Sequence, residues 1–389
     1  MFMLPPLATP RTRSEIFFSS DGFISGVEGA RKVIQEIQAK PRARNLNLAH
    51  QRLGTDGSVE LFHWLSSNDG RRCSLEAMDL RGNRLKEAGF AALSQYLSKA
   101  VSPKDLRLNE CPLEVKFLQR FADAIQASSL DSLTLSGVPG GDTFVPILLS
   151  AVLGSRLRRL RVPMSNITPA TAPAIAAFIA SPRCRLSSLS LNGNLIGAEG
   201  VNKILDALSQ NYSVTTLDCY ANLAMEDSPE SFVSIEDRRK RLLARNCGLQ
   251  RSVKQESLVL LRHSRTMLLR GTKPTESIEP PSTTATFSGL PVEIQHYILT
   301  FLTTTLSDAQ CIRIIKYAVS PATLPQLLPT LKSRGCLADP STLLPPSAGG
   351  CTNGCMGANS LTCRKDEQRG EWFKLVDCEA YEPESLSTS

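Results

Sequence analysis

Aromatic side chains are scarce in this chain, at 6% of 389 residues, and histidine occurs only four times. Leu and Ala carry the apolar content instead, which suits a core built from thin layers. No run of 18 uncharged apolar residues is present, so no membrane span is expected. The opening stretch MFMLPPLATPRTRSEIFF has early prolines and arginines and no continuous apolar centre, so it does not read as a secretory signal. Eleven cysteines fall short of disulfide-scaffold density, which points to reduced thiols in a cytoplasmic or nuclear setting. Catalytic signatures are missing as well. There is no G-x-x-x-x-G-K-[ST] loop and no H-E-x-x-H. His50, His63, His263 and His296 stand at no metal or catalytic spacing, and no carboxylate pair stands out. The reading is non-enzymatic, with no cofactor.

Charge is uneven. The net value is +7, yet residues 236–273 alone hold eleven Lys/Arg and three acids. The remainder is close to neutral. An argument for an anionic partner therefore attaches to that one segment.

What the chain does have is a repeat. In LSSLSLNGNLIGAEG, residues 186–200, Leu189 and Leu191 form an L-x-L anchor. Counterparts are Leu46/Leu48, Met78/Leu80, Leu106/Leu108, Leu133/Leu135, Leu160/Val162 and Leu217/Cys219. Successive anchors lie 32, 28, 27, 27, 29 and 28 residues apart, a period too regular for chance. Five residues past the anchor, Asn recurs as Asn83, Asn194 and Asn222, with Gln51 in the first copy. Its amide can bond turn backbone that a short strand leaves open. Alternation across the anchor predicts a strand. The following dozen residues have helical periodicity, as in Val201, Ile204, Leu205 and Leu208. One such unit cannot bury its apolar face alone, whereas a stack can.

Over residues 46–224 this pattern resembles the leucine-rich repeats of the ribonuclease-inhibitor type. The resemblance implies an α/β solenoid: a horseshoe with parallel strands on its concave face and helices outside, followed by a small helical C-terminal region. Departures stand at Cys111-Pro112, Val138-Pro139 and Pro163, where turns should change in detail without ending the array. Ahead of the first anchor, Gly26 and Gly29 repeat the spacing of Gly54 and Gly57 and mark a degenerate capping repeat.

The expected organisation is a tail and capping repeat over 1–45 and about seven repeats over 46–230. A basic helical cap over 231–270 and a Pro/Thr/Ser-rich linker over 271–288 follow. The last parts are a helical module over 289–335 and a Pro- and Cys-containing tail over 336–389. Within the cap, Ser234 to Asp237 has a capping-box pattern that starts one helix, and Val253, Leu260, Leu261 and Leu268 belong to a second. The run RRKRLLAR is of the type used for nuclear import or nucleic-acid contact. It reads here as the solvated face of a capping helix, because a solenoid end needs a polar cover. No aromatic accompanies it to stack on bases, so nucleic acid is not an expected partner.

Leu290, Pro291, Glu293 and Ile294, followed by Ile298 and Leu302, resemble the opening of an F-box. That resemblance implies docking to a Skp-type adaptor of a cullin ubiquitin ligase. Its later Trp-containing helix has no counterpart, and F-boxes usually precede their repeats, so a plain helical hairpin is the other reading. Cys351, Cys355, Cys363 and Cys378 lack the paired C-x2-C knuckles of a zinc site, and free or packed thiols are the default.

Function is then expected on a surface. Alternation points Asp79, Arg81, Asp105, Arg107 and Asn109 outward from the anchors, together with Arg159, Arg161, Asp218 and Tyr220. Four arginines, Arg81, Arg107, Arg159 and Arg161, are expected to make the concave face basic. The reading is a protein-interaction scaffold whose concave face takes an acidic patch of a partner protein. One alternative is an F-box-like substrate receptor. Another is a GTPase activator resembling the Ran GTPase-activating proteins, which share this repeat type but end in a long acidic tail.

Overall fold

Each anchor becomes the middle of a three-residue strand, because its apolar side chains point one way and the intervening residue the other. A computed structural model describes residues 15–18, 24–99, 103–111, 114–138, 140–222, 229–269, 287, 290–323 and 361–383. The strands are β1 (Glu15–Phe17), β2 (Asn45–Asn47), β3 (Ala77–Asp79), β4 (Asp105–Arg107), β5 (Ser132–Thr134), β6 (Arg159–Arg161), β7 (Ser188–Ser190) and β8 (Thr216–Asp218). They pair in sequence order as one parallel sheet, with Ile16, Leu46, Met78, Leu106, Leu133, Leu160, Leu189 and Leu217 in register. The anchors are buried in one continuous core.

Helices α1 (Gly26–Ala39), α2 (Gly54–Leu65), α3 (Glu87–Lys99), α4 (Val115–Ala127), α5 (Gly141–Val152), α6 (Ala172–Ala180) and α7 (Gly197–Gln210) connect the strands. Each buries one apolar stripe against the sheet layer; in α7 these residues are Val201, Ile204, Leu205 and Leu208. Gly57 shows how tightly layers stack, since a Cβ there would lie 2.4 Å from the carbonyl oxygen of Gly26. The fourth residue after every anchor from β2 to β8 has positive φ, although only three of the seven are glycine. The others are His50, Glu110, Met164 and Ala221, so the layer geometry overrides an ordinary side chain's preference at these turns.

The Asn expectation has a physical basis in this turn. Asn194 Nδ2 donates to the carbonyls of Val162 and Leu191 at 3.0 and 2.7 Å, and its Oδ1 accepts from Ser165 N and Ile167 N. Asn83 does the same for Leu48, Leu80 and Leu53. Where Asn is absent, Cys111 Sγ donates to the Leu80 carbonyl at 3.4 Å, and Ser165 takes the position two layers on. The array therefore continues through its irregular copies. Upstream, the segment read as a tail contributes β1, and with α1 it forms a complete layer. The anchor Ile16 escapes the L-x-L pattern because its partner two residues on is Phe18.

The chain divides into two compact units, 1–243 and 244–389. Their boundary falls inside α8 (Pro229–Leu269), which is one continuous helix rather than the two expected. No proline or turn sequence interrupts it, and a lone Gly248 costs a helix only about 1 kcal/mol. It also begins five residues before Ser234, so the capping-box pattern there is internal; Pro229 suits the first turn instead.

In the first unit, Ile235 joins the solenoid core, with Leu242 and Leu243 packed against it. In the second, Val253, Leu260 and Leu261 pack with α9 (Val292–Thr300), α10 (Asp308–Val319) and α11 (Leu361–Leu375). Ser307 and Gln310 form a reciprocal capping box at the start of α10. Trp372, Phe373 and Val376 from the expected EWFKLV segment are buried. Among the described residues no helix is long and apolar enough to cross a membrane.

Candidate partner-binding surfaces

The register of the sheet decides which outward residues meet. One row reads Asn47, Asp79, Arg107, Thr134, Arg161, Ser190 and Asp218. A parallel row carries Asp105, Ser132, Arg159 and Ser188. Arg81, Asn109 and Tyr220 follow their strands by two residues and form a third line. The four arginines thus occupy three rows, and only Arg107 and Arg161 share one, two strands or about 10 Å apart.

Several of these charges are already engaged. Arg81 grips Asp79 with Nε at 2.9 and 3.0 Å from the carboxylate oxygens and Nη2 at 2.8 Å. Arg107 reaches Asp105 at 3.3 Å and Asp79 at 3.9 Å. Asp79 is consequently only 8% exposed, so it is a buried anchor for two guanidinium groups rather than an open contact residue. Its hydrogen bond to Arg81 raises the Arg81 pKa further, against the desolvation that would lower it. Arg159 pairs with Asp131 at 2.9 Å. Arg161 is exposed and has no ion-pair partner among the described residues.

At the end of the sheet, Tyr220 is 48% exposed, and its hydroxyl accepts from Arg239 Nη2 at 2.9 Å. Phe17, 48% exposed on β1, extends the face at the other end. The sequence concealed it, because a three-residue strand without leucine gives no anchor to alternate from.

Other candidates fall elsewhere. His50 lines an open cleft of about 870 Å³ with Arg52, Gly82, Arg84 and Glu110, its Nδ1 3.9 Å from the Glu110 carboxylate. Among the described residues no group of three His, Cys, Asp or Glu could hold a metal. Cys351 and Cys355 lie outside the described residues, as does the Cys363 side chain. Cys378 is fully buried, and burial pushes its thiol pKa to about 12.

The F-box-like segment has an unusual helix. α9 buries only Gln295 and Leu299. Val292, Ile294, Tyr297, Ile298, Phe301 and Leu302 are all exposed, Phe301 at 70%, and the Tyr297 and Phe301 rings meet edge to face at 4.9 Å. Leu290 is half-buried, while Pro291 and Glu293 are exposed.

No family model matches the chain. The chain is similar to a mouse (Mus musculus) Tonsoku-like protein, 26% identical over 230 residues, which cover 57% of this chain and 16% of that protein. It is similar to the pig (Sus scrofa) ribonuclease inhibitor, 29% identical over 161 residues, covering 40% and 35%. The mouse ribonuclease inhibitor is 29% identical over 143 residues, covering 36% and 31%. The match thus spans about a third or less of each relative's length. Among solved structures, one titled "Leiomodin-1 Actin-Binding Site 2 (ABS2)" aligns at 14% identity over 62% of this chain and 96% of that one, with a TM-score of 0.24.

Eight parallel strands alternating with helices define a leucine-rich repeat solenoid. With these relatives, the chain is a ribonuclease-inhibitor-like leucine-rich repeat protein, a type that commonly binds other proteins.

Proposed function

We propose that this chain is a non-enzymatic scaffold whose concave face binds an acidic segment of a partner protein. One observation carries the reading. Arg161 sits mid-sheet with no ion-pair partner among the described residues, flanked in its row by the uncharged Thr134 and Ser190, with Arg107 two strands away on one side and Asp218 two strands away on the other. Asp79 and Asp105 are taken up by Arg81 and Arg107, so Arg161 is the open positive charge in the middle of the row. Arginine is also a residue type that anchors interfaces when a partner desolvates it.

The test compares proteins captured from lysate by the intact chain and by Arg107→Glu/Arg161→Glu. Concave-face partners should drop out with the variant, and purified partners should bind at least about tenfold more weakly. An unchanged set of captured proteins sinks the reading.

A second reading concerns the second unit and rests on the exposed apolar face of α9. A helix packed as a plain hairpin would bury Ile294, Ile298 and Leu302, and all three are at least 36% exposed. Docking of a Skp-type adaptor would cover that face. Skp and cullin subunits should then appear with the intact chain and vanish with Ile294→Asp/Phe301→Asp. Their absence from the intact chain removes the ligase reading.

A further inference from the structure

The parallel register collects on one edge of the solenoid residues that are scattered in sequence. Every segment leading into a strand lies on the same edge, because all eight strands run in one direction. The leading segments 40–44, 66–76, 99–104, 128–131, 153–158 and 181–187 contain eleven Lys/Arg. The only acids there are Asp69, Glu76 and Asp131, and all three are already in ion pairs, with Arg72, Arg44 and Arg159. Arg42, Arg71, Lys99, Arg156 and Arg183 are exposed and have no ion-pair partner among the described residues. The segments that leave β2 to β7 hold fewer cations, Arg52, Arg81, Arg84 and Lys86, alongside the acids Glu110 and Glu114.

We propose that this strand-leading edge binds the phosphate backbone of a double-stranded nucleic acid. The rim runs from the β2 layer to the β7 layer, five strand spacings or about 24 Å, close to the rise of about seven base pairs. Its free cations are mostly arginines, whose planar forks suit phosphate oxygens. Between the β3 and β4 layers, Arg71, Arg72, Lys99 and Lys104 line a cleft of about 420 Å³ that can take a phosphate group; Glu76 also lines it, with its carboxylate paired to Arg44.

The surroundings favour a duplex over the other polyanions. Among the described residues, none of the exposed large apolar side chains lies in these segments, so the rim has nothing to insert into a bilayer and no apolar anchor for a protein interface. It has no exposed aromatic among the described residues to stack on single-stranded bases. Recognition through phosphate alone carries no sequence information, so binding should be sequence-independent.

The test measures fluorescence anisotropy of a labelled mixed-sequence duplex of about 20 base pairs with the full chain across a salt series. Affinity should fall steeply with salt. Arg71→Gln/Lys99→Gln/Arg156→Gln should weaken binding at least about tenfold and lower the log–log salt slope by about two to three, near 0.9 for each phosphate no longer neutralised. Lys240→Gln/Arg241→Gln, on the basic part of α8, should leave both unchanged. An unshifted thermal melt checks that each variant folds.

The proposal is overturned if the intact chain does not bind the duplex at low salt. It is also overturned if the α8 variant, and not the rim variant, loses binding. Tighter binding to a single strand, to phosphatidylserine vesicles or to poly-glutamate than to the duplex would overturn it too.

Discussion

Arg239→Ala is expected to destabilise the solenoid unit by about 3–5 kcal/mol, the range for removing one partner of a buried ion pair. Arg239 is only 7% exposed. Its Nε and Nη2 donate to the Glu236 carboxylate at 2.8 and 2.7 Å, and Nη1 donates to the Leu217 carbonyl at 2.6 Å. Its guanidinium also lies 5.2 Å from the Tyr220 ring centroid. The last strand of a solenoid has no following layer to take its backbone, and this side chain serves β8 in that role. Truncation leaves the Glu236 charge to Lys240, 3.6 Å away, and takes the Arg239 donor from the Leu217 carbonyl. Chemical denaturation followed by circular dichroism would measure the loss, and a double-mutant cycle with Glu236→Gln isolates the pair.

The same pair makes a pH prediction. Hydrogen bonding from Arg239 lowers the Glu236 pKa below its ordinary 4.5, outweighing the desolvation that would raise it. The folded-state value is the depressed one. Its stabilisation is therefore present above the unfolded pKa and is lost as pH falls through the folded one. The stability gap between the native chain and Glu236→Gln should begin to close as pH falls toward the ordinary 4.5 and be gone below the depressed folded value. A gap that stays constant over that range would show that Glu236 contributes through packing instead of charge.

Asn194→Ala is expected to cost about 3 kcal/mol, because it leaves the buried Ser165 and Ile167 amides without their acceptor and takes one donor each from Val162 and Leu191. Stability in a solenoid is set largely by each layer and its neighbours. Hydrogen-exchange protection should therefore drop most in the β6 and β7 layers and least near β2. Asn194→Ser should recover part of the loss, since Ser165 already occupies the equivalent place one layer earlier. Equal losses for Ala and Ser would mean that the side-chain volume, not its hydrogen bonds, holds the turn.

The repeat itself was legible because anchors, Asn and Gly recur at one spacing, and spacing is a property of the sequence. The limits of that legibility lie in particular residues. Ile16 was invisible because its layer lacks the leucine pair, so Gly26 and Gly29 marked a degenerate capping repeat while its strand β1 went unread. The capping-box letters at Ser234 misplaced the start of α8, since a four-residue pattern can also occur inside a helix. Asp79 looked like a contact residue by alternation, but its two arginine neighbours cover it. Alternation gives the face on which a side chain lies, and it cannot give what leans over that side chain.

By itself, the sequence determined the fold class, the strand positions from β2 onward, the apolar stripes of the helices and the absence of recognisable catalytic motifs. Each of these rests on local periodicity, which sets what must be buried. Tertiary structure alone decided which residues share a surface. Register placed Arg107 and Arg161 in one row and Arg159 in another. It also gathered the rim cations, which stand in segments tens of residues apart, on one edge. Parallel stacking at a fixed strand spacing turns a long sequence separation into a few ångströms, and no pattern within a single repeat encodes that sum.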